Sequence, residues 1–228
     1  MKSVEIKRST FRFLQSLKKN NNREWFAKNK ELYLQAQQDL ETFAGALLDE
    51  LNRHDQIETP SGRKSLHRIY RDTRFSADKT PYKTNISGNF TRATKSRRGG
   101  YYFHIEPGNS FVAGGFWNPS PPDMKRIRDE IAFDDRPLRK ILKNKTFIAA
   151  FEELRGEQLK TAPKGFDSNH TAIDLLRYKQ YLLVRRFPDK EVLNASFVKE
   201  VSRTFKHMRP FFDYMSETLT TDVNGIAI

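Results

Sequence analysis

Apolar residues recur with two different periods along this chain, and the change of period fixes the class of fold it can adopt. From Arg23 to Asn52, Phe26, Tyr33, Leu40, Ala44, Leu47 and Leu51 are spaced by three, four or seven residues, the stripe of one long amphipathic helix. A shorter helix around Leu14 and Leu17 precedes it and ends in Asn20-Asn21-Asn22, any of which can cap the next helix. Between 64 and 118 the period shortens. LHRIYRD (66–72), NISGNFTRA (85–93), YYFHIEP (101–107) and SFVAGGFWN (110–118) are short, rich in aromatic and β-branched residues, and separated by Gly, Pro or Asn; they read as antiparallel strands. Pro107-Gly108-Asn109 predicts a hairpin between the last two.

Helical spacing returns after Pro122. Stripes at Met124/Ile127/Ile131, Leu138/Ile141/Leu142 and Phe147/Phe151/Leu154 predict three helices, the third ending at Gly156. A short helix follows around Ile173 to Leu176, then a further strand, YLLVRRF (181–187). Leu193 through Met215 form the stripe of a C-terminal helix that Pro210 should bend or break, and TTDVNGIAI (220–228) reads as frayed. Strands clustered between helical segments argue for an α+β fold. The expectation is an antiparallel sheet of about five strands packed by long N- and C-terminal helices. It forms one domain over 1–228, helical over 1–55, strand-rich over 64–118, and helical with one further strand over 121–219.

Composition narrows the chemistry. With no Cys, disulfides, thiolate metal sites and cysteine nucleophiles are excluded. The first nineteen residues lack the apolar core of a signal peptide, and no stretch approaches the roughly 20 apolar residues of a membrane span. The reading is a cytoplasmic protein without a membrane partner. Net charge is +13, and it is concentrated. Between Ser61 and Arg98 eleven Lys or Arg face two Asp, a surplus of nine. Such a local field draws anions and is screened by salt.

The centre of that block is RDTRFSADKTPYKT (71–84), placed by the predicted strands in the connection between the first two. It has two readings. Arg71 and Arg74 can fork onto the oxygens of an anion, with Lys79 and Lys83 adding charge, Asp72 and Asp78 positioning them, and Tyr82 donating a hydrogen bond. The alternative is a salt-bridged scaffold packed on Phe75, Pro81 and Tyr82, although a partly buried ion network need not add net stability. Strand alternation adds neighbours. Tyr101, Phe103 and Ile105 share one face of their strand, and Tyr102, His104 and Glu106 the other. If the first set is core, His104 and Glu106 stand on the open face, where Arg68, Tyr70 or Asp72 could meet them. A His and a Glu at i, i+2 suit an acid/base pair or two metal ligands; a strand His paired with a carboxylate is more often structural.

Gly114-Gly115 within a strand suggests a bulge or a close approach by another backbone. Trp117 then serves to stack on a ligand or to lid the core. The five His are scattered without metal-binding spacing, and no P-loop, GxGxxG or GxSxG occurs, so no metal or cofactor is named. Basic residues interleaved with aromatics, and an SRRGG loop (96–100) flanked by Arg92 and Lys95, meet a loose criterion for nucleic acid. No recognised nucleic-acid motif accompanies them.

Four segments together, FLQSLKKNNNREWFAKNKELY (13–33), RIYRDTRFSADKTPYKT (68–84), YYFHIEPGNSFVAGGFWNP (101–119) and APKGF (162–166) followed by DLLRYKQY (174–181), resemble domain-of-unknown-function family 2461 over nearly the whole chain. The resemblance implies a single cytosolic domain with no assigned reaction, cofactor or partner. It also implies motif positions at Arg71, Asp72, Arg74, Phe75, Asp78, Lys79, Pro81, Tyr82 and Lys83. Three functional readings stand. The chain binds a phosphate-bearing or other anionic ligand in a basic polar cleft at Arg68, Arg71, Asp72, Arg74, Asp78, Lys79, Tyr82, Lys83 and Trp117, with hydrolase or transferase chemistry open to His104 and Glu106. It is a non-catalytic nucleic-acid or protein-interaction module. Or the motif is purely structural.

Overall fold

The structure, a computed structural model, describes residues 4–222 and 226–227. These form ten helices and one four-stranded antiparallel sheet with strand order β1-β2-β3-β4, an α+β fold. The chain divides into two compact units, one of residues 1–90, 102–112 and 186–203, the other of 91–101, 113–185 and 204–228.

In the first unit, α1 (Arg8–Lys19) and α4 (Gly62–Ser65) pack on α3 (Lys30–Leu51). The predicted long helix from Arg23 is in fact two, α2 (Arg23–Lys28) and α3. Asn29 separates them at φ −113°, ψ 20°, outside helical geometry, and its amide Nδ2 turns back to the Trp25 carbonyl at 2.8 Å. An Asn that bonds nearby backbone competes with the helix ladder, which is why it breaks here. Asn22 caps α2, accepting from the Trp25 N–H at 2.9 Å. Phe43 of α3 meets Phe103 edge-on at 5.6 Å and stacks on Phe197 at 5.5 Å. All three rings are essentially buried.

The sheet consists of β1 (Ile86–Thr91), β2 (Gly100–Ile105), β3 (Ser110–Phe116) and β4 (Tyr181–Phe187). Tyr101, Phe103 and Ile105 are buried, while Tyr102 and His104 are half-buried, the alternation expected of a strand with one core face. The fifth strand expected at 66–72 does not form; only isolated bridges occur there, Leu66 to Gly88 and Tyr70 to Tyr82. The paired numbers sum to 154 at one bridge and 152 at the other. The register therefore slips by two residues between them, and such a bulge prevents a continuous ladder. Segment 71–84 is thus the outer part of an irregular hairpin leading into β1, rather than a link between two strands.

In the second unit, α5 (Pro121–Phe133) starts at Ser120, whose Oγ accepts from the Asp123 N–H at 3.2 Å, and packs on α8 (Ile173–Leu176). α6 (Arg136–Leu142) packs on α7 (Lys145–Phe151), which ends before the expected Gly156. Its last turn closes at Glu152, with φ 65° and ψ −63°, and the Glu153 N–H donates to the Phe151 carbonyl at 2.7 Å. After the short α9 (Asp189–Val192), α10 (Phe197–Thr220) runs unbroken through Pro210. Pro210 is exposed, with buried Phe205, Met208, Phe211 and Phe212 opposite it, so the carbonyl it leaves unpaired faces water. Of the segment expected to fray, 223–225 and 228 lie outside the described residues. Thr221 and Ala227 form a bridge.

Candidate functional site

The 71–84 hairpin is built from its backbone outward. The Arg71 N–H donates to the Pro81 carbonyl at 2.9 Å and the Lys83 N–H to the Ile69 carbonyl at 2.8 Å, framing the Tyr70–Tyr82 bridge. At the tip the Ser76 N–H reaches the Thr73 carbonyl at 3.4 Å, so Arg74 and Phe75 occupy the corner of a turn. Asn21 clamps the base: its Oδ1 accepts from the Tyr82 N–H at 3.1 Å and its Nδ2 donates to the Tyr82 carbonyl at 2.9 Å. The Tyr82 ring stacks on Phe26 at 3.9 Å and is buried. It acts in packing.

Most of the motif charges pair with one another. Arg71 binds the Asp78 carboxylate and the Thr80 hydroxyl. Arg74 forks onto Asp72, Nε to Oδ1 at 3.0 Å and Nη2 to Oδ2 at 2.6 Å. Lys79 donates to the Thr73 carbonyl at 3.0 Å. The Thr80 N–H, then Arg71 and the Thr80 hydroxyl, hold the Asp78 carboxyl at about 2; Arg74 likewise lowers Asp72. Arg68 and Lys83 differ. Among the described residues neither head group forms an ion pair or a hydrogen bond, whereas Lys79, also without an ion pair, has the Thr73 carbonyl. Burial lowers the Lys83 ammonium, and the Arg68 guanidinium beside it lowers it further. The half-buried Lys83 ammonium thus lies within electrostatic range of a second cation, and Arg68 in turn acts on Asp72, the carboxylate that Arg74 forks.

The face of β2 opposite Tyr101, Phe103 and Ile105 is largely covered rather than open, and on it Tyr102, His104 and Glu106 form a hydrogen-bonded row. The Tyr102 hydroxyl is 3.1 Å from His104 Nδ1, and His104 Nε2 is 3.2 Å from Glu106 Oε2. Phe111 stacks on the imidazole at 4.6 Å. Glu106 is also held by the Thr84 hydroxyl at 2.8 Å and the Asn109 amide at 2.9 Å, with Lys18 Nζ 3.7 Å away. Only 12% of the His104 side chain and 11% of the Glu106 side chain reach solvent. Burial is the largest influence on Glu106 and pushes it up, but hydrogen bonds from Asn109, Thr84 and His104 outweigh it and hold the carboxyl below its ordinary value. Burial lowers His104 below 6.5 against the opposing pull of Glu106, and nearby Arg186 and Lys83 also lower it. With Glu106 ionised, Nε2 carries the imidazole proton and Nδ1 accepts from the Tyr102 O–H.

The sign of this linkage gives a test. For both groups the folded pKa lies below the unfolded one, so the unfolded chain binds more protons and stability falls as pH falls. For His104 the loss begins below about 6.5 and for Glu106 below about 4.3, their unfolded values. Urea denaturation of the wild type is expected to show stability declining from pH 7 to 5.5. A His104→Gln variant is expected to be flatter across that window, while the decline below pH 4.5 is kept. An unchanged slope from 7 to 5.5 would show that His104 is not buried neutral.

A pocket of about 230 Å³ adjoins the row, lined by Leu14, Gln15, Lys18, Thr84, Glu106 and Gly108, among others. The motif therefore reaches the pocket through Thr84. Of the residues singled out in the sequence, Glu106 lines this pocket; His104 bonds Glu106, and Lys83 is near enough to His104 to lower it. Arg71, Asp72, Arg74, Asp78 and Lys79 are engaged within the hairpin. Trp117 lies in the second unit with 70% of its surface exposed and does not lid the core. The SRRGG loop is also tied down. Arg92 is buried and donates to the Arg98 carbonyl at 2.9 Å and to Asp213 at 2.9 Å; Arg98 pairs with Asp123 at 2.5 Å. Among the described residues no group of three or more His, Asp or Glu is arranged to hold a metal, and no helix is long and apolar enough to cross a membrane.

Sequence periodicity places Tyr102, His104 and Glu106 on one face. It does not point to Thr84, Asn109 or Lys18 as partners of Glu106, nor to Phe111 and Arg186 beside His104. Asn109, three residues past Glu106 in a predicted turn, carries the one local signal, because turn Asn side chains bond nearby groups.

A family model described as conserved hypothetical protein (DUF2461) matches residues 9–214. No curated protein and no solved structure matches the chain.

Proposed function

Because the chain belongs to the conserved hypothetical protein family DUF2461, we propose its function from local chemistry: it binds a compact phosphate- or carboxylate-bearing ligand at Arg68 and Lys83, beside the Tyr102–His104–Glu106 row. The observation that carries this reading is that neither head group has a hydrogen-bond or ion-pair partner among the described residues, in a hairpin where Arg71 pairs with Asp78 and Arg74 with Asp72. Bringing a half-buried ammonium next to a guanidinium costs free energy through desolvation and like-charge repulsion. An anion between them relieves both. The His104 and Glu106 hydrogen bonds hold the adjoining wall in place. Both imidazole nitrogens are engaged, so proton transfer to a ligand would require the Tyr102 or Glu106 bond to open. The reading is accordingly binding, with no reaction assigned.

A thermal-shift series with inorganic phosphate, pyrophosphate and simple carboxylates tests it. Ligand at 100 times its Kd is expected to stabilise by about 2.7 kcal/mol, roughly 5–10 °C for a chain of this size. Lys83→Met is expected to lose that rise while the ligand-free variant melts no lower than wild type, since a repulsive contact has been removed. A ligand-free variant that is clearly destabilised, with the wild-type response intact, would assign Lys83 to the scaffold.

A further inference from the structure

The hairpin tip carries a second feature that the anion site does not use. Phe75 is 96% exposed, the most exposed large hydrophobic residue among those described. The turn that holds it is fixed from within by the Arg71–Asp78–Thr80 cluster, the Arg74–Asp72 fork and the Lys79 bond to Thr73. An aromatic ring presented on a preorganised loop loses little conformational entropy on binding, the property that makes such residues binding anchors. The Arg74 guanidinium sits 5.9 Å from the ring centroid. It bonds Asp72 through Nε and Nη2 only, so Nη1 keeps its donors. Lys79 uses one of three ammonium donors. Further down the hairpin Tyr70 is 52% exposed, beside exposed Arg68.

We propose that this hairpin is a contact site for single-stranded nucleic acid, with Phe75 stacking on an unpaired base and Arg74 and Lys79 meeting the phosphates. Charge complementarity selects this occupant: between Arg63 and Lys83, in the same compact unit as the exposed rings, seven Lys or Arg stand against two Asp. Exposed rings with cations beside them suit a strand whose bases are free to stack. A duplex offers no open base face. An acidic polypeptide would answer the charge and leave the ring without a partner.

Fluorescence anisotropy with a labelled twelve-residue oligothymidylate at low salt reads the contact. Binding is expected to weaken with salt as phosphate counterions are released. Phe75→Ala is expected to reduce affinity by about 5- to 150-fold, the range for one lost base stack, and Phe75→Trp to restore it. The ring is so exposed that Phe75→Ala leaves the fold intact, which its melting temperature checks. The matched duplex is expected to bind more weakly and with no dependence on Phe75. Equal affinity of Phe75→Ala and wild type overturns the proposal. So does polyglutamate competing at matched charge in a Phe75-dependent way, which would indicate an acidic protein. The phosphate response of Lys83 is expected to persist in Phe75→Ala, so the two sites stand or fall separately.

Discussion

Gly115→Ala is expected to leave little folded protein. Gly115 lies in β3 at φ +133°, a conformation in which a side chain costs about 1–3 kcal/mol. A Cβ there would come within 2.1 Å of the Tyr181 carbonyl oxygen and 3.1 Å of Leu182 Cα, both backbone atoms of β4. Backbone cannot swing aside as a flexible side chain can, so β3 and β4 would have to separate. The combined cost is expected to exceed about 4 kcal/mol, a size seen only for severe core lesions. The measurement is soluble yield, with the melting temperature of whatever is recovered. Gly108→Ala is the control. Gly108 has φ +76°, and a Cβ added to it would meet no atom within 4 Å, so it isolates the backbone cost at about 1–2 kcal/mol. Equal losses in the two variants would mean that conformation alone, and not the approach of β4, makes glycine necessary at 115.

Arg92→Ala is the second large loss. The Arg92 side chain is 1% exposed. It donates to the Arg98 carbonyl at 2.9 Å, the Ser216 hydroxyl at 3.3 Å and Asp213 at 2.9 Å, and its guanidinium lies 5.1 Å from the Phe212 centroid. Asp213 is 53% exposed and also pairs with Arg209, so the loss comes from the hydrogen bonds and packing of the buried guanidinium, with about 1.5–3 kcal/mol for the bond to the charged partner. A cavity opens as well, and the Arg98 carbonyl loses a donor. Arg92→Lys is not expected to rescue, because one ammonium cannot reproduce a planar fork spread over three acceptors. The Arg98 N–H is bonded to the same Ser216 hydroxyl at 2.9 Å. Loss of Arg92 should therefore release the 95–98 loop, and trypsin is expected to cut there faster in both variants. Unchanged stability and unchanged cleavage would remove Arg92 from the structural framework.

These two residues also show what is legible in the sequence. The glycine pair within an apparent strand signals a close approach, and Gly115 against β4 is one. Arg92 is different: by charge and position it belongs to an exposed basic loop. Only the fold shows it buried under α10, because its partners Asp213 and Ser216 lie more than 120 residues away. Alternation is enough to separate Tyr101, Phe103 and Ile105 from Tyr102 and His104, since a strand offers only two faces. The break at Asn29 is invisible in the apolar stripe because the spacing continues across it. Segment 66–72 has the composition of a strand, and composition cannot register a two-residue slip in pairing.

In the hairpin, the Arg74–Asp72 fork is local in sequence and so is open to inference. Which cations stay unpaired is not, as that depends on the turn drawing Asp78 to Arg71. Charge density alone points to Arg71 and Arg74. The pairing leaves Arg68 and Lys83 as the two cations of the hairpin whose head groups have no hydrogen-bond partner among the described residues. Partners of Glu106 come from α1, the hairpin end and the β2–β3 turn, and only the last is near it in sequence.

Isothermal titration calorimetry with pyrophosphate at low ionic strength, run on wild type, Lys83→Met and Arg74→Ala, tests the anion site most directly. If Lys83 and Arg68 hold the ligand, Lys83→Met weakens binding about 10- to 100-fold, the range for a lost hydrogen bond to a charged group, while Arg74→Ala stays close to wild type. Loss of binding in Arg74→Ala with Lys83→Met unaffected, or no binding by the wild type, would contradict it.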